Sequence, residues 1–234
     1  MLLQSRGILF PLQKEILVRL GYLPDLTHFY LAGGTALAEF YLGHRKSFDL
    51  DIFSAEEGLI QPFSRQAVDA LQKAGIWVEV VRQFSTFVEL SCMEREEQTK
   101  VQFALDSPFR LASVDRSEYG ISVSSLADLT ADKLLAFTGR VEPRDAVDLF
   151  FLLEHQNFPS LQQNAKEKDP GFDLYWFAMA CAKVQGFPDD LNRWPVEMVS
   201  PLDVRELKQV FQRLGEEALQ TIQPDGSPNS STKS

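Results

Sequence analysis

Apolar residues recur along this chain with two different spacings, which separate the expected helices from the expected strands. Within residues 7–20, Leu9, Leu12, Ile16 and Leu20 recur every three or four positions, the spacing of an amphipathic helix. The same spacing predicts helices at residues 35–42, 59–74, 129–138, 143–153, 158–168, 173–185 and 203–222. Short apolar runs between polar breaks predict strands at residues 28–32, 48–53, 76–84, 86–93, 99–106 and 121–124. Strands are thus confined to residues 1–124, and a helical lobe is predicted at residues 125–222.

A glycine pair lies between the first two longer strands. Gly33 and Gly34 have no Cβ, so the backbone can turn sharply there and a phosphate group can approach its N–H groups. Thr35 is suited to cap the helix that follows. The unpaired N–H groups and the positive dipole end of that helix favour an anion. This turn is therefore a candidate phosphate-binding element.

Two aspartates alternate with apolar residues on the strand that follows this helix. Because side chains on a strand point to opposite faces in turn, Asp49 and Asp51 share one face while Leu50 and Ile52 point into the core. Two carboxylates on one exposed strand face offer the hard oxygen ligands that suit Mg²⁺.

A second polar cluster spans two predicted helices. Lys133 lies on the first helix, and Pro143 suits the start of the second. Arg144, Asp145 and Asp148 follow, and the two aspartates lie three positions apart on one face of that helix. They could hold nearby cations or take part in chemistry.

Composition narrows the class of protein. The formal net charge is −10, with 44% hydrophobic residues, which favours a globular protein and argues against broad non-specific binding of nucleic acid. A local basic patch remains compatible with that charge. Cys92 and Cys181 are isolated in the sequence, so neither disulfides nor zinc sites are expected. The expected compartment is the reducing cytoplasm. The sequence shows neither a signal peptide nor an apolar run of about 18 residues, so no membrane span is expected. The polar segment 223–234 is expected to be disordered.

The ordered motifs resemble one known family. The strings GGTAL, HRKS and FDLDIF, followed by ADKLLAFTGRVEPRDAVDLFFLL, are similar to the AbiEii/AbiGii toxin family of the DNA polymerase β-type nucleotidyltransferase superfamily. The resemblance covers about residues 29–153, and it implies an α+β fold. That fold is a nucleotidyltransferase core, a mixed sheet with flanking helices, followed by the helical lobe.

The resemblance also implies roles for the matching residues. It places the phosphates of an NTP against the glycine turn and Mg²⁺, the implied cofactor, on the aspartate pair. The resemblance assigns nucleotide binding to Gly33, Gly34, Thr35, Arg45, Ser47, Lys133 and Arg144. It assigns metal binding to Asp49 and Asp51, and it assigns catalytic roles to Asp49, Asp51, Lys133, Asp145 and Asp148.

One position departs from the superfamily pattern. A third carboxylate usually follows on a later strand, but here the matching position is Gln102. Asp106, on the same face, is about 13 Å further along at strand rise and is too distant to replace it. Glu89 on the neighbouring strand is another conceivable substitute. An amide oxygen can ligate Mg²⁺, but it carries no charge and is a poor general base.

The resemblance implies transfer of NMP from an NTP to an acceptor hydroxyl. It also implies a toxin of a bacterial toxin–antitoxin or phage-defence system, with an antitoxin partner and RNA such as tRNA, or a protein, as acceptor. Gln102 supports an alternative, a catalytically silent module that binds nucleotide or another protein. A third hypothesis is a small-molecule nucleotidyltransferase. A deep acidic pocket would favour that third hypothesis, and an open cleft with basic residues would favour RNA.

Overall fold

A computed structural model describes residues 2–222 of the chain. The strands are Leu2–Leu3 (β1), Tyr30–Ala32 (β2), Asp49–Ser54 (β3), Trp77–Phe84 (β4), Phe87–Glu94 (β5), Glu97–Leu105 (β6), Asp115–Ser117 (β7) and Ser122–Val123 (β8). The α-helices are Pro11–Leu20 (α1), Gly33–Leu37 (α2), Ile60–Lys73 (α3), Leu126–Arg140 (α4), Pro143–Leu153 (α5), Phe158–Lys168 (α6), Leu174–Val184 (α7) and Val204–Ile222 (α8). The predicted disordered tail lies outside the described residues.

The strands form one mixed sheet in the order β1-β7-β8-β2-β3-β6-β5-β4. Strand β3 pairs antiparallel with β2 and parallel with β6, while β4, β5 and β6 form two consecutive antiparallel pairs. The mixed sheet and the successive hairpins confirm the sequence prediction. Strands β1 and β7 were not predicted, because β1 is Leu2–Leu3 alone and β7, Asp115–Ser117, contains no apolar residue.

One face of the sheet is covered by helices and holds the first apolar core. Leu50 and Ile52 are completely buried there, together with apolar residues of α1 and α3. Phe29 stacks on Phe63 with ring centroids 4.0 Å apart, and Phe103 packs edge-on against both rings. Because these side chains occupy the covered face, the alternate residues of β3 must point to the opposite face, toward the helical lobe.

The helices after β8 form a second apolar core, and α4 contributes to both cores. Leu129, near the start of α4, belongs to the first core, whereas Leu134 and Phe137 belong to the second. Phe137 packs against Phe211 of α8 with ring centroids 4.9 Å apart. A single helix therefore joins sheet and lobe rigidly. No helix within residues 2–222 has the length and apolar character needed to span a bilayer.

The helix after the glycine pair differs from its prediction. It begins at Gly33 rather than Thr35, its N-cap residue is Ala32, and no side chain caps it. The helix then continues as a π-helical turn over Ala38–Leu42. The predicted capping role of Thr35 is therefore wrong. Its hydroxyl instead donates to the backbone oxygen of Asp49, so it ties this helix to the start of β3.

A buried aspartate fixes the position of α4. The carboxylate of Asp128 accepts hydrogen bonds from the N–H groups of Leu111 and Ala112, each at 3.2 Å, and from the Ser125 hydroxyl at 2.7 Å. Lys168 of α6 lies 3.1 Å from it. Burial alone would raise the pKa of this carboxyl, but these donors and the lysine outweigh burial, and the pKa is lowered. Asp128 thus joins the loop before β7 to two helices of the lobe.

Asp128→Ala is expected to lower the free energy of unfolding by about 3–5 kcal/mol at pH 7, since it leaves buried donors unpaired and removes one of the two carboxylates that face Lys168. An unfolded aspartate titrates near pH 3.9, above the folded pKa. The stabilisation is therefore complete above about pH 5 and is lost as the pH falls through the folded pKa. Urea unfolding at several pH values measures both effects. The exposed Asp69→Ala should stay within about 0.5 kcal/mol. An equal deficit for Asp128→Ala at pH 7 and pH 3.5 would contradict this account.

Candidate active site

A cavity of about 610 Å³ lies between the uncovered face of the sheet and the helical lobe. Eight of the predicted site residues line it together: Gly33, Gly34, Arg45, Ser47, Asp49, Asp51, Lys133 and Arg144. The lining does not include Thr35, Asp145 or Asp148. Sequence motifs about 80 residues apart in the chain therefore meet in a single cleft.

The aspartate pair faces this cavity from β3. Asp49 and Asp51 line it, while Leu50 and Ile52 are fully buried beneath them. Burial raises the pKa of the Asp51 carboxyl, and the charge of Asp49 raises it further. Two like charges so close together repel one another, and a divalent cation between them would remove that repulsion. The donor set therefore fits Mg²⁺. Within residues 2–222, no group of three or more acids, histidines or cysteines forms a metal cluster.

The two glycines let side chains of the site pack directly on the backbone. Gly33 has φ +67°, a conformation that side chains with a Cβ rarely adopt. A Cβ at this residue would overlap the carboxylate of Asp51. A Cβ at Gly34 would lie 2.7 Å from Arg45 Nη2 and 3.0 Å from Ser47 Oγ. Contacts within the site therefore favour glycine at both positions, and the positive φ favours it at Gly33 as well.

Asp148 is completely buried at the centre of a charge cluster behind the cavity wall. Arg45 donates to it through Nε and Nη2 at 2.6 and 2.8 Å, and Lys133 Nζ lies 2.6 Å from Oδ2. His44 Nε2 lies 2.7 Å from Oδ1. Burial alone would raise the pKa of Asp148, but Lys133, Arg45 and His44 outweigh burial and hold that pKa well below its usual range. The carboxylate is therefore charged and orients two cations that line the cavity.

His44 completes this cluster as a neutral side chain. Burial is the largest cause of its lowered pKa, and the neighbouring cations Arg45 and Lys133 contribute. Its Nδ1 is buried and has no hydrogen-bond partner within residues 2–222. A protonated ring would carry an unsatisfied N–H at that atom, which is costly in the interior. The ring is thus neutral and donates through Nε2 to Asp148.

Asp145 has a similar role and lies one helical turn before Asp148. It is also completely buried, and it accepts hydrogen bonds from Arg140 Nε at 2.6 Å and Nη2 at 2.7 Å. Lys133 Nζ lies 3.8 Å from its Oδ1. Both carboxylates of α5 thus contact cations and do not line the cavity. Of the two roles considered from the sequence, holding cations or taking part in chemistry, these contacts correspond to the first.

Charge is distributed unevenly over the molecule. The cavity lining holds six cationic side chains, Arg45, Lys46, Lys100, Lys133, Arg140 and Arg144, and four acidic ones, Asp49, Asp51, Asp106 and Asp132. The chain as a whole carries a formal charge of −10. The cleft is therefore locally basic on an acidic protein, which suits a polyanionic ligand.

Sequence patterns did not assign several residues of the cavity rim to the site. Lys100 shares the face of Gln102 and pairs in register with Asp49, so strand alternation alone could have indicated it. Phe48 is 49% exposed at the rim, and no local pattern marks it. Pro195 reaches the cavity because its loop pairs with the corner beside Arg45, an interaction set only by tertiary packing.

Gln102 occupies the position where the superfamily pattern expects an acid. It pairs in register with Asp51 and lines the cavity. Its Nε2 donates to Glu89 Oε2 at 2.8 Å, and Glu89 itself is buried and absent from the cavity lining. Neither Glu89 nor Gln102 therefore provides a third carboxylate to the pair on β3.

Comparisons with known proteins agree with this fold. Residues 15–217 match the family model described as nucleotidyl transferase AbiEii toxin, Type IV TA system. The chain is 28% identical over 169 residues to the uncharacterized protein aq_aa25 of Aquifex aeolicus, covering 69% of this chain and 76% of that protein.

Two solved structures share the fold at low sequence identity. JHP933 of Helicobacter pylori is 17% identical, with a TM-score of 0.56 over 90% of each chain. The nucleotidyltransferase toxin MenT4 of Mycobacterium tuberculosis is 16% identical, with a TM-score of 0.56 over 92% of this chain and 84% of the toxin. Because the family model spans most of the sequence, this chain belongs to the AbiEii family of nucleotidyltransferase toxins.

Proposed function

We propose that this protein transfers NMP from an NTP to an acceptor hydroxyl, as a toxin of a toxin–antitoxin system. One observation carries the proposal: Asp49 and Asp51 face Lys133, Arg140 and Arg144 across one cavity. In the reaction, the acceptor hydroxyl loses its proton to solvent and its oxygen forms a bond to the α-phosphorus. The bond from that phosphorus to the bridging oxygen breaks, and pyrophosphate leaves. Mg²⁺ bound to the aspartates would polarise the reacting phosphate and lower the pKa of the attacking hydroxyl.

The residues of the chain bind and orient the nucleotide. The turn at Gly33 and Gly34 would bind the phosphates through its backbone N–H groups. Lys133 faces the triphosphate as a compact positive charge and stabilises the negative charge that develops on the leaving group. Asp148 holds that lysine at 2.6 Å. Because the lysine is fixed in advance, little reorganisation is needed when charge develops.

The cavity rim favours an RNA acceptor over a small polyol. The lining contains more cations than acids, whereas a site for a cationic aminoglycoside-like molecule would be predominantly acidic. Lys46, Lys100 and the half-exposed ring of Phe48 lie together at the rim. Cations and an exposed aromatic ring are the combination that binds single-stranded nucleic acid. We place the reaction in the cytoplasm, with an antitoxin protein as the second partner.

The experiment incubates the protein with each α-³²P-NTP, Mg²⁺, total RNA and cell protein, and resolves the products on a gel. Asp49→Asn and Asp51→Asn are each expected to reduce label transfer by at least about 100-fold, because each removes charge that stabilises the reacting phosphate. Asp69→Asn, an exposed change outside the cavity, is the matched control and should label normally. The labelled band identifies the acceptor class.

A silent nucleotide-binding module is the second candidate, and the neutral Gln102 beside Asp51 favours it. The same variants separate the two functions. Suppose that no NTP donates label to any acceptor, but a nucleotide with Mg²⁺ raises the unfolding temperature and Asp51→Asn abolishes that rise. The second candidate, a silent nucleotide-binding module, is then correct. If neither transfer nor Asp-dependent binding occurs, both candidates are wrong.

Gly33→Ala is expected to reduce transfer by about 100-fold, the cost of displacing a reacting group by about 1 Å. The added methyl would push the Asp51 carboxylate aside, and the positive φ adds about 1–3 kcal/mol of strain. Gly139→Ala is the control, because its Cβ meets nothing within 4 Å and its helical position favours alanine. Both variants are compared by NMP transfer and by urea unfolding. Equal activity in the two would contradict the contact between Gly33 and Asp51.

Asp148→Asn is expected to lower the free energy of unfolding by about 3–5 kcal/mol, because two cations lose their buried counter-charge. In the fraction that remains folded, Lys133 and Arg45 lose their fixed orientation, so KM for the NTP should rise. Urea unfolding and initial rates at varied NTP measure the two effects. An Asp148→Asn protein as stable as Asp69→Asn would show that the cluster is not needed for folding.

A further inference from the structure

Strand β6 lies between the aspartate strand and the strand that carries a buried glutamate. Gln102 pairs in register with Asp51 of β3 on one side and with Glu89 of β5 on the other. Neighbouring strands are about 4.8 Å apart, so the three side chains form a row across one face of the sheet. Only Asp51 and Gln102 of this row line the cavity.

The hydrogen bond in this row determines which end of the Gln102 amide faces which way. Gln102 donates through its amide Nε2 to Glu89 Oε2 at 2.8 Å, so the amide NH₂ is the end that faces Glu89. That NH₂ points toward β5. The amide oxygen is consequently turned away from Glu89, toward β3 and the cavity. Among the described residues no hydrogen bond to this oxygen occurs, so it is available to a ligand.

The contact does not serve stability alone. Glu89 is only 6% exposed, and Gln102 is its one hydrogen-bonding side chain within residues 2–222. Arg82 of β4 lies opposite Glu89 in register, but among the described residues the two form no ion pair. A buried carboxylate whose one hydrogen-bonding partner is neutral costs free energy, and an apolar pair of similar volume on this region of the sheet would be at least as stable. A role in the site accounts for that cost.

We propose that the amide oxygen of Gln102 is the third protein oxygen of the divalent-cation site, beside Asp49 and Asp51. Glu89 is the positioning residue that holds this oxygen toward the cation. The inference rests on the proposed nucleotidyl transfer. The proposed ligand set contains two carboxylates and one oriented amide where the superfamily usually has three carboxylates. The protein ligands of the site therefore carry a charge of −2. A free cation then binds less tightly than at a site of three carboxylates, and the triphosphate supplies the missing negative charge.

The test measures Mn²⁺ binding to the full chain by titration calorimetry without nucleotide, so that its readout is independent of activity. Glu89→Gln lets the two facing amides pair in either orientation, and Kd should rise about tenfold, as for other residues that orient a metal ligand. In the exchanged protein Glu89→Gln/Gln102→Glu, the amide at 89 donates to a carboxylate at 102. The hydrogen bond is kept and a charge is gained, so Kd should fall about tenfold below wild type. Glu79→Gln, exposed on β4, is the matched control and should bind as wild type does.

The outcomes separate this inference from the proposed function. Asp49→Asn should abolish binding. If it does, while Glu89→Gln and the exchanged protein keep the wild-type Kd, then Gln102 is not a ligand and only this inference is wrong. If Asp49→Asn also keeps the wild-type Kd, the cation site itself is wrong. Thermal unfolding of each variant without metal identifies any change in Kd that arises from a loss of fold.

Discussion

The buried carboxylate of Asp148 is the interaction on which the cavity depends. It attracts Arg45 and His44 from the corner before β3 and Lys133 from α4, so one charge joins the sheet to the lobe. In a low-dielectric interior an unpaired charge is costly, and a cluster with every partner present is rigid. The cations that line the cleft are therefore held in place before any ligand arrives. Asp145 holds Arg140 in the same way.

Charged side chains of the site pack directly on the backbone of the glycine turn. Gly33 lies against the Asp51 carboxylate, and Gly34 lies against the side chains of Arg45 and Ser47. An acid and a cation are thus brought to the same short stretch of backbone. The acidic surface elsewhere confines attraction for a polyanion to this cleft. The fold in this way combines an overall charge of −10 with a basic site.

The chain keeps the AbiEii fold while changing one oxygen donor of the expected cation site. Glutamine at 102 would be a poor substitute for an acid if its amide could turn freely. The bond to Glu89 removes that freedom, because the carboxylate accepts from one end of the amide only. A single neighbour on the next strand can therefore convert a neutral side chain into a directed ligand. In the proposed site, a cation would therefore depend on the charge of the nucleotide that it accompanies.

Local patterns in the sequence determined the helices, the longer strands and the shared face of Asp49 and Asp51, because these follow from side-chain periods of 3.6 and 2 residues. The glycine and aspartate motifs likewise indicated the family from a few neighbouring residues. Only the tertiary structure showed which groups Asp148 of α5 contacts: it reaches His44, 104 positions away, and Lys133 at 2.6 Å. Register between β5 and β6 likewise decided the orientation of Gln102. Such contacts depend on packing between distant segments, and no local spacing encodes them.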